Sequence, residues 1–348
     1  MALPPASPVP PVPPVLPATG RLGGVSRRRL LQLGAVAGLA LLAGCRRDGP
    51  RLLSARGELP ASWTRRLPRS WSLESLEAPE EVLAAAGEAP AALLQLGDGW
   101  ATELEPSALQ PIGSAALQAR LEPWSRSVSR LFAADGAPRL AFPWSCSPWV
   151  LLLRNRPDLA RRRSEGWELL LDPSLRGRLV LPSSPRLAIA LVGGEPARLR
   201  RLRAQALAYD DRDGLSLLLA GDADALVLPR RRVVPLLQRD PRLAAVLPES
   251  GSPLAWSLLL RPAGSHPEPP LEWLAAVLEP PLLGRLLAAG WVPPLPRRQL
   301  LDASAGLAAP LRELLVPPAE VMARCADLPP LEAAERIALQ ALWDRSAP

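Results

Sequence analysis

The chain has 348 residues, 44 of them proline, and all 41 of its basic side chains are arginine, set against 34 acids for a formal net charge of +7. Four of those arginines lie ahead of Cys45 and no acid does, so the remainder carries 37 arginines against 34 acids, too small an excess to demand a nucleic-acid partner. One histidine and three cysteines leave no cluster with metal-ligand spacing.

Residues 1–25, dominated by Pro-Val-Pro-Pro repeats, cannot bury apolar surface and read as an extended polyproline tail or as a start codon placed too early. Residues 26–45 follow with Ser26-Arg27-Arg28-Arg29-Leu30-Leu31, which resembles a twin-arginine export signal, and end in Leu42-Ala43-Gly44-Cys45, which resembles a lipobox. The uncharged run between them is 15 residues, short of the roughly 20 that a membrane-spanning helix needs. Small side chains at Ala43 and Gly44 let a peptidase approach the backbone, and the thiol of Cys45 is the group that would accept diacylglycerol. The expectation is a mature protein that begins at Cys45 and is held by a lipid anchor on the periplasmic side of the inner membrane.

Past a short linker, residues 51–55 predict a strand, 78–86 a helix, and 91–96 a short apolar strand ended by Gly97-Asp98-Gly99. The alternation continues with strands at 150–154, 179–181 and 225–228 and helices near 195–208 and at 215–220, the latter capped by Gly221. Each strand is a continuous apolar run of the kind covered on both faces in a parallel sheet. A strand at 255–261 precedes a Pro-rich loop, after which residues 270–278, 282–289, 311–315 and 331–344 predict helices. The pattern is an α/β body with a helical C-terminal section and no internal repeat.

Three segments are more specific. They are Phe142-Pro143-Trp144-Ser145; the run from Trp167 through Asp172-Pro173 and Arg176-Gly177-Arg178 to Leu179; and Gly290-Trp291-Val292-Pro293. Read locally, the middle run tucks Trp167 under a lobe, breaks at Pro173 and uses Gly177 to enter the next strand. Together with the order of elements over residues 51–315, the three segments resemble the solute-binding proteins of ABC importers, in particular the spermidine/putrescine-binding family.

That resemblance implies a type II periplasmic-binding-protein fold, with residues 51–149 plus 256–310 as lobe one, 150–255 as lobe two, two crossing strands between them, and C-terminal helices over 311–348. It also implies an interlobe ligand site. Trp144 with its neighbour Ser145, Trp149, and Trp256 in the returning strand are its candidate aromatic region. Ser184 and Ser257 stand where the family's resemblance would place acids, and Arg230-Arg231-Arg232 follow a site strand. Bare ammonium groups need paired acids, whereas guanidinium forks suit carboxylate or phosphate. Polyamine is the ligand the family implies, and a small anion is the alternative these residues leave open.

Enzymatic readings fare poorly. The only histidine, His266, lies in a proline-flanked loop with little to hold an imidazole in register for a Ser-His-Asp site. Gly193-Gly194 lack the P-loop pattern and read as a turn. The expectation is a solute-capturing lipoprotein, not an enzyme, with no metal or other cofactor and no nucleic-acid partner. Its partners would be a small-molecule solute and the importer's permease and ATPase subunits. The alternative is an exported lipoprotein that keeps the binding fold in a sensor or assembly role. Cys146 and Cys325 could form a disulfide in that compartment or stay as buried thiols.

Overall fold

The structure, a computed structural model, describes residues 49–210 and 212–348. The proline-rich segment, the export signal and Cys45 lie outside the described residues.

Ten strands follow in chain order: β1 (Arg51–Ala55), β2 (Ser72–Leu76), β3 (Leu93–Gly97), β4 (Leu109–Gln110), β5 (Ala141–Arg154), β6 (Leu179–Leu181), β7 (Ala206–Tyr209), β8 (Ala225–Pro229), β9 (Leu243–Val246) and β10 (Leu254–Pro262). They form a hydrogen-bonded path in the order β2-β1-β3-β10-β5-β8-β6-β7, with β4 on β10 and β9 on β5. β1 pairs parallel with β2 and β3, and β6 pairs parallel with β7 and β8; β10 and β5 run antiparallel to their neighbours.

The strand that joins the two halves is β5. Its residues 141–148 pair with β10, and its residues 149–154 pair instead with β8 and β9. The change of partner falls at Pro148-Trp149, and Pro148 contributes no N–H to a ladder. The two groups of strands therefore meet along one strand. The sequence expects crossings near 150–155 and 255–261; residues 150–154 are the second half of this longer element, and residues 255–261 lie within β10, which the chain enters after residues 247–253.

Both faces of the sheet are covered, which is why the strands read as unbroken apolar runs. In β1, Leu52 joins one core cluster and Leu53 another, as the alternation of side chains along a strand requires. Beyond the handover, Leu151 and Leu153 of β5 pack with Trp167, Leu170, Leu179 and Leu199. Trp167 is buried there and donates its indole N–H to the Gly251 carbonyl at 3.0 Å, and Gly177, at φ +68°, turns the chain into β6.

Three elements differ from the sequence expectation. The helix expected to reach residue 208 is Pro196–Gln205, and the residues after it form β7 along β6. Ala206-Leu207-Ala208 has helical propensity, but the free edge of β6 outweighs a preference worth a fraction of a kcal/mol per residue. β2 alternates between half-buried and exposed positions, so no continuous apolar run marks it, whereas β9, Leu243-Ala244-Ala245-Val246, is a short apolar run that the sequence reading passed over.

The C-terminal section ties the halves together again. After the Ala309–Leu315 helix the chain passes along the start of β10, where Ala326 makes a parallel bridge with Pro253. Arg186 in the second half donates to the Pro329 carbonyl. The Ala333–Arg345 helix, opened by a Glu332/Glu335 capping box, lays Leu339, Leu342 and Trp343 against the second half's core. The Arg203 guanidinium lies 4.0 Å from the centre of the Trp343 ring, and Tyr209 meets that ring edge-on at 5.5 Å. Among the described residues, no helix is long and apolar enough to cross a membrane.

Candidate functional site

A cavity of about 450 Å³ opens where the start of β10, the middle of β5, the first turn after β8 and the segment 315–327 converge. Much of its wall is apolar: Leu254, Val292, Leu295, Leu300, Leu315 and Met322. Its charged lining residues are Glu122, Arg230, Arg297 and Asp327.

Arg230 supplies the buried cation. β8 ends at Pro229, and the Arg230–Leu237 helix begins at once, which points the first side chain back over β5. The residue is 2% exposed. Its Nη1 donates to the Leu314 and Leu315 carbonyls at 3.1 and 2.9 Å, and its Nη2 to the Cys146 carbonyl at 3.0 Å. Its Nε has no partner, and no carboxylate pairs with it among the described residues. Burial pushes its pKa down to about 10, against the raising effect of Cys146 and Cys325.

The arginine triplet does not act as a clamp. Arg231 turns away to form a bidentate pair with Glu58 at 2.6 and 2.8 Å and lies 4.8 Å from the Trp291 ring centre. Arg232 donates to the Arg212 carbonyl at 2.9 Å. Successive helical residues point about 100° apart, so three in a row cannot face one ligand.

At the other side of the cavity, Trp124 and Trp256 meet with ring centres 5.2 Å apart and planes tilted by 46°. The Trp256 indole N–H donates to Asp327 Oδ1 at 2.8 Å, and its backbone N–H donates to Asp98 Oδ1 at 3.2 Å. Burial pushes the Asp98 carboxyl up to about 6, opposed by backbone N–H groups of Trp256, Asp98 and Gly99 and assisted by the Asp327 charge. Asp327 is also raised by burial, and the bond from Trp256 opposes this. It has no cationic partner among the described residues.

Cys146 and Cys325 both line the cavity as free thiols, so the disulfide considered from the sequence is not formed. Burial raises both, and the Arg230 charge works against that shift in each. Neither is a ready nucleophile, since the reactive form is the thiolate.

Of the residues singled out in the sequence, Arg230 lines the cavity and Trp256 stands beside it. Trp144 does not. It is 0% exposed, packed 4.9 Å from Trp63 and 4.8 Å from Trp291, with Trp63 stacked on Trp273 at 4.2 Å. Trp63 and Trp273 each donate the indole N–H to the other's backbone carbonyl, at 2.8 and 3.0 Å, while the buried Trp144 indole N–H has no partner. Ser145 is buried, its hydroxyl accepting from the Val292 N–H at 3.2 Å, and Ser257 is buried in β10. Trp149 packs on the second half's core. Ser184 is exposed, its carbonyl opening the Pro185–Leu191 helix.

The motif Gly290-Trp291 has a structural cause. Gly290 has φ +92°, and a Cβ there would lie 2.8 Å from the Arg231 carbonyl oxygen. It lets Trp291 reach Trp144.

The sequence reading passed over Trp124, Asp98 and Asp327. Asp98 carried a usable signal, since Gly97-Asp98-Gly99 follows the carboxyl end of β3, the side of α/β sheets on which ligands bind. Trp124 and Asp327 sit in irregular segments with no local pattern.

No protein-family model matches the chain, and no curated protein matches it in sequence. Its fold is nevertheless shared with solved structures. The spermidine/putrescine transporter substrate-binding protein PotD from Streptococcus pneumoniae superimposes with a TM-score of 0.68 at 12% identity, covering 86% of this chain and 98% of that one. The Tp0655 (TpPotD) lipoprotein of Treponema pallidum gives 0.61 at 13% identity, over 86% and 99%. The Atu4243-GABA receptor gives 0.59 at 12% identity, over 86% and 98%. A Trichodesmium protein holding iron and citrate and a periplasmic thiamin-binding protein share the fold as well. The architecture is that of the type II periplasmic binding proteins.

Proposed function

We propose that this chain is the solute-capturing lipoprotein of an ABC importer, anchored through Cys45 on the periplasmic side of the inner membrane and working with permease and ATPase subunits. The observation that carries the reading is the cavity at the handover in β5, with a buried arginine on one side and the Trp124–Trp256 pair on the other. In this reading residues 51–149 plus 256–310 and residues 150–255 are the two lobes, and the cavity between them is the capture site. It is a binding protein and not an enzyme: its chemistry is a mostly apolar wall with a few placed polar groups, the ordinary composition of a ligand pocket.

The proteins that share the fold are described as binding polyamines, GABA, iron with citrate, or thiamin, so the fold leaves the solute open. A polyamine remains the family's default. Against a fully dicationic solute stands Arg230, whose buried charge would repel it; in its favour stand the carboxylates of Asp98 and Asp327 beside Trp256.

A thermal-shift screen of the exported protein against polyamines, amino acids, organic acids and phosphorylated compounds tests the reading. A true solute at about 100 times its dissociation constant adds about 2.7 kcal/mol of stability. That gain should be lost in Trp256→Ala. A screen in which no compound raises the melting temperature would contradict solute capture.

A further inference from the structure

We infer that the two halves of the protein are latched shut by ion pairs of their own, centred on Glu58 and Arg231, so that the closed form is reached without a solute. The inference rests on the two-lobe part of the capture reading and adds a closing device to it.

The pairs lie where parallel strands end. Glu58 follows the carboxyl end of β1, and Glu80 follows that of β2, in the first turn of the Pro79–Glu88 helix. Arg212 follows β7, and Arg231 stands in the first turn after β8. In open α/β sheets this edge borders the crevice that receives ligands. Protein groups bridge it here. Arg231 Nη2 donates to both carboxylate oxygens of Glu58 at 2.6 and 2.8 Å, and Arg212 Nη2 donates to Glu80 Oε1 at 2.9 Å. Each acid belongs to the first half and each arginine to the second. Asp98, after β3, acts in the same sense on Arg186, after β6: burial pulls that guanidinium's pKa down, and the Asp98 charge opposes the fall.

The polarity extends to the whole of each half. Residues 51–149 with 256–310 carry 13 arginines against 15 acids, whereas residues 150–255 carry 18 against 12. Surfaces of opposite sign steer each other into one register and disfavour others.

The two pairs differ in weight. Glu80 and Arg212 are exposed, and such a pair adds little. Glu58 and Arg231 are partly buried, and the Arg231 guanidinium lies 4.8 Å from the Trp291 ring centre. Gly290, whose missing side chain lets the Arg231 carbonyl approach, seats this turn against the first half. Val233 and Val234, one turn on, share a core cluster with Trp63, Leu286 and Trp291. Opening would break the pair and expose that apolar seam together. Halves joined in this way need no solute to bring them together.

The experiment is small-angle X-ray scattering on the purified full mature protein with no solute added. The wild-type profile should match the closed structure. Glu58→Arg sets two guanidinium groups against each other and should raise the open-to-closed ratio at least about tenfold, read as a larger radius of gyration. Arg231→Glu should do the same, and the two changes combined should restore the wild-type radius. Because reversed charges beside a packed seam could impair folding, Glu58→Gln is a further variant, expected to expand the protein less than Glu58→Arg; urea denaturation confirms that each variant is folded.

A wild-type protein already expanded without solute would overturn the latch. So would folded single variants with the wild-type radius, or a double variant that stays expanded. The capture reading fails separately: a latched protein that no compound stabilises keeps the latch and loses capture, whereas a protein that stands open until a stabilising compound is added keeps capture and loses the latch.

Discussion

Two groups of tryptophans, separated by one strand, show how the same residue is used in two ways. Trp63, Trp144, Trp273 and Trp291 pack in stacked and tilted pairs in the first core, and the Trp63 and Trp273 indole N–H groups are satisfied internally. Trp124 and Trp256 meet at a cavity, the first 41% exposed and the second bonded to a carboxylate. The first arrangement is fully buried, and its one unsatisfied polar atom is the Trp144 indole N–H. The second leaves the Trp124 ring partly exposed at a cavity and Asp327 without a cationic partner among the described residues, and it is that opening to a cavity that separates site from core.

If that division is right, the largest stability loss belongs to the buried cluster. Trp63→Ala should cost about 3–5 kcal/mol in chemical denaturation, through lost contacts and the cavity left behind. A loss below about 1 kcal/mol would mean that the cluster is not the core element described.

The next effect concerns charge at the site. The folded Asp98 carboxyl titrates near 6, above its ordinary 3.8, so between those values the folded state keeps a proton that the unfolded state releases. Stability should therefore fall as pH rises from about 4 to about 6, by up to about 3 kcal/mol, and level off above. Asp98→Asn should flatten that part of the profile and be the more stable protein at pH 7. Parallel profiles for the two proteins, from urea denaturation, would refute the assignment.

A smaller effect is expected at the C-terminal tether. Trp343→Ala removes the Arg203 and Tyr209 ring contacts and should cost about 1–2 kcal/mol, with faster amide exchange confined to the Ala333–Arg345 helix. The smallest belongs to the site's outer ring: Trp124→Ala should change stability by no more than about 0.5 kcal/mol yet weaken solute binding about tenfold. Unchanged affinity would remove Trp124 from the site.

Much of the fold could be read from the chain because buried parallel strands announce themselves. Arg51–Ala55 and Leu179–Leu181 appear where the apolar runs lie, and Gly221, at φ +93°, ends the Gly214–Ala220 helix as expected. β2 lacks such a run, β9 is a run of only four residues, and β7 carries a helical sequence overruled by its neighbour. The site was harder to read, since a tryptophan's neighbours are set by tertiary packing: Phe142-Pro143-Trp144-Ser145 carried the family resemblance but is core. The carboxylates beside Trp256 come from positions 98 and 327, far from it in sequence and brought there only by the sheet and the returning tail. The arginine triplet looked like a clamp because sequence proximity hides helical rotation.

The most direct test of the account is amide hydrogen exchange measured with and without whichever solute of the panel binds. The account predicts slowed exchange at residues 253–257 and 319–327, which border the cavity, and no change in the Ala61–Thr64 and Leu271–Ala276 helices of the buried tryptophan cluster. Protection centred on those two helices, with residues 253–257 and 319–327 unchanged, would contradict it.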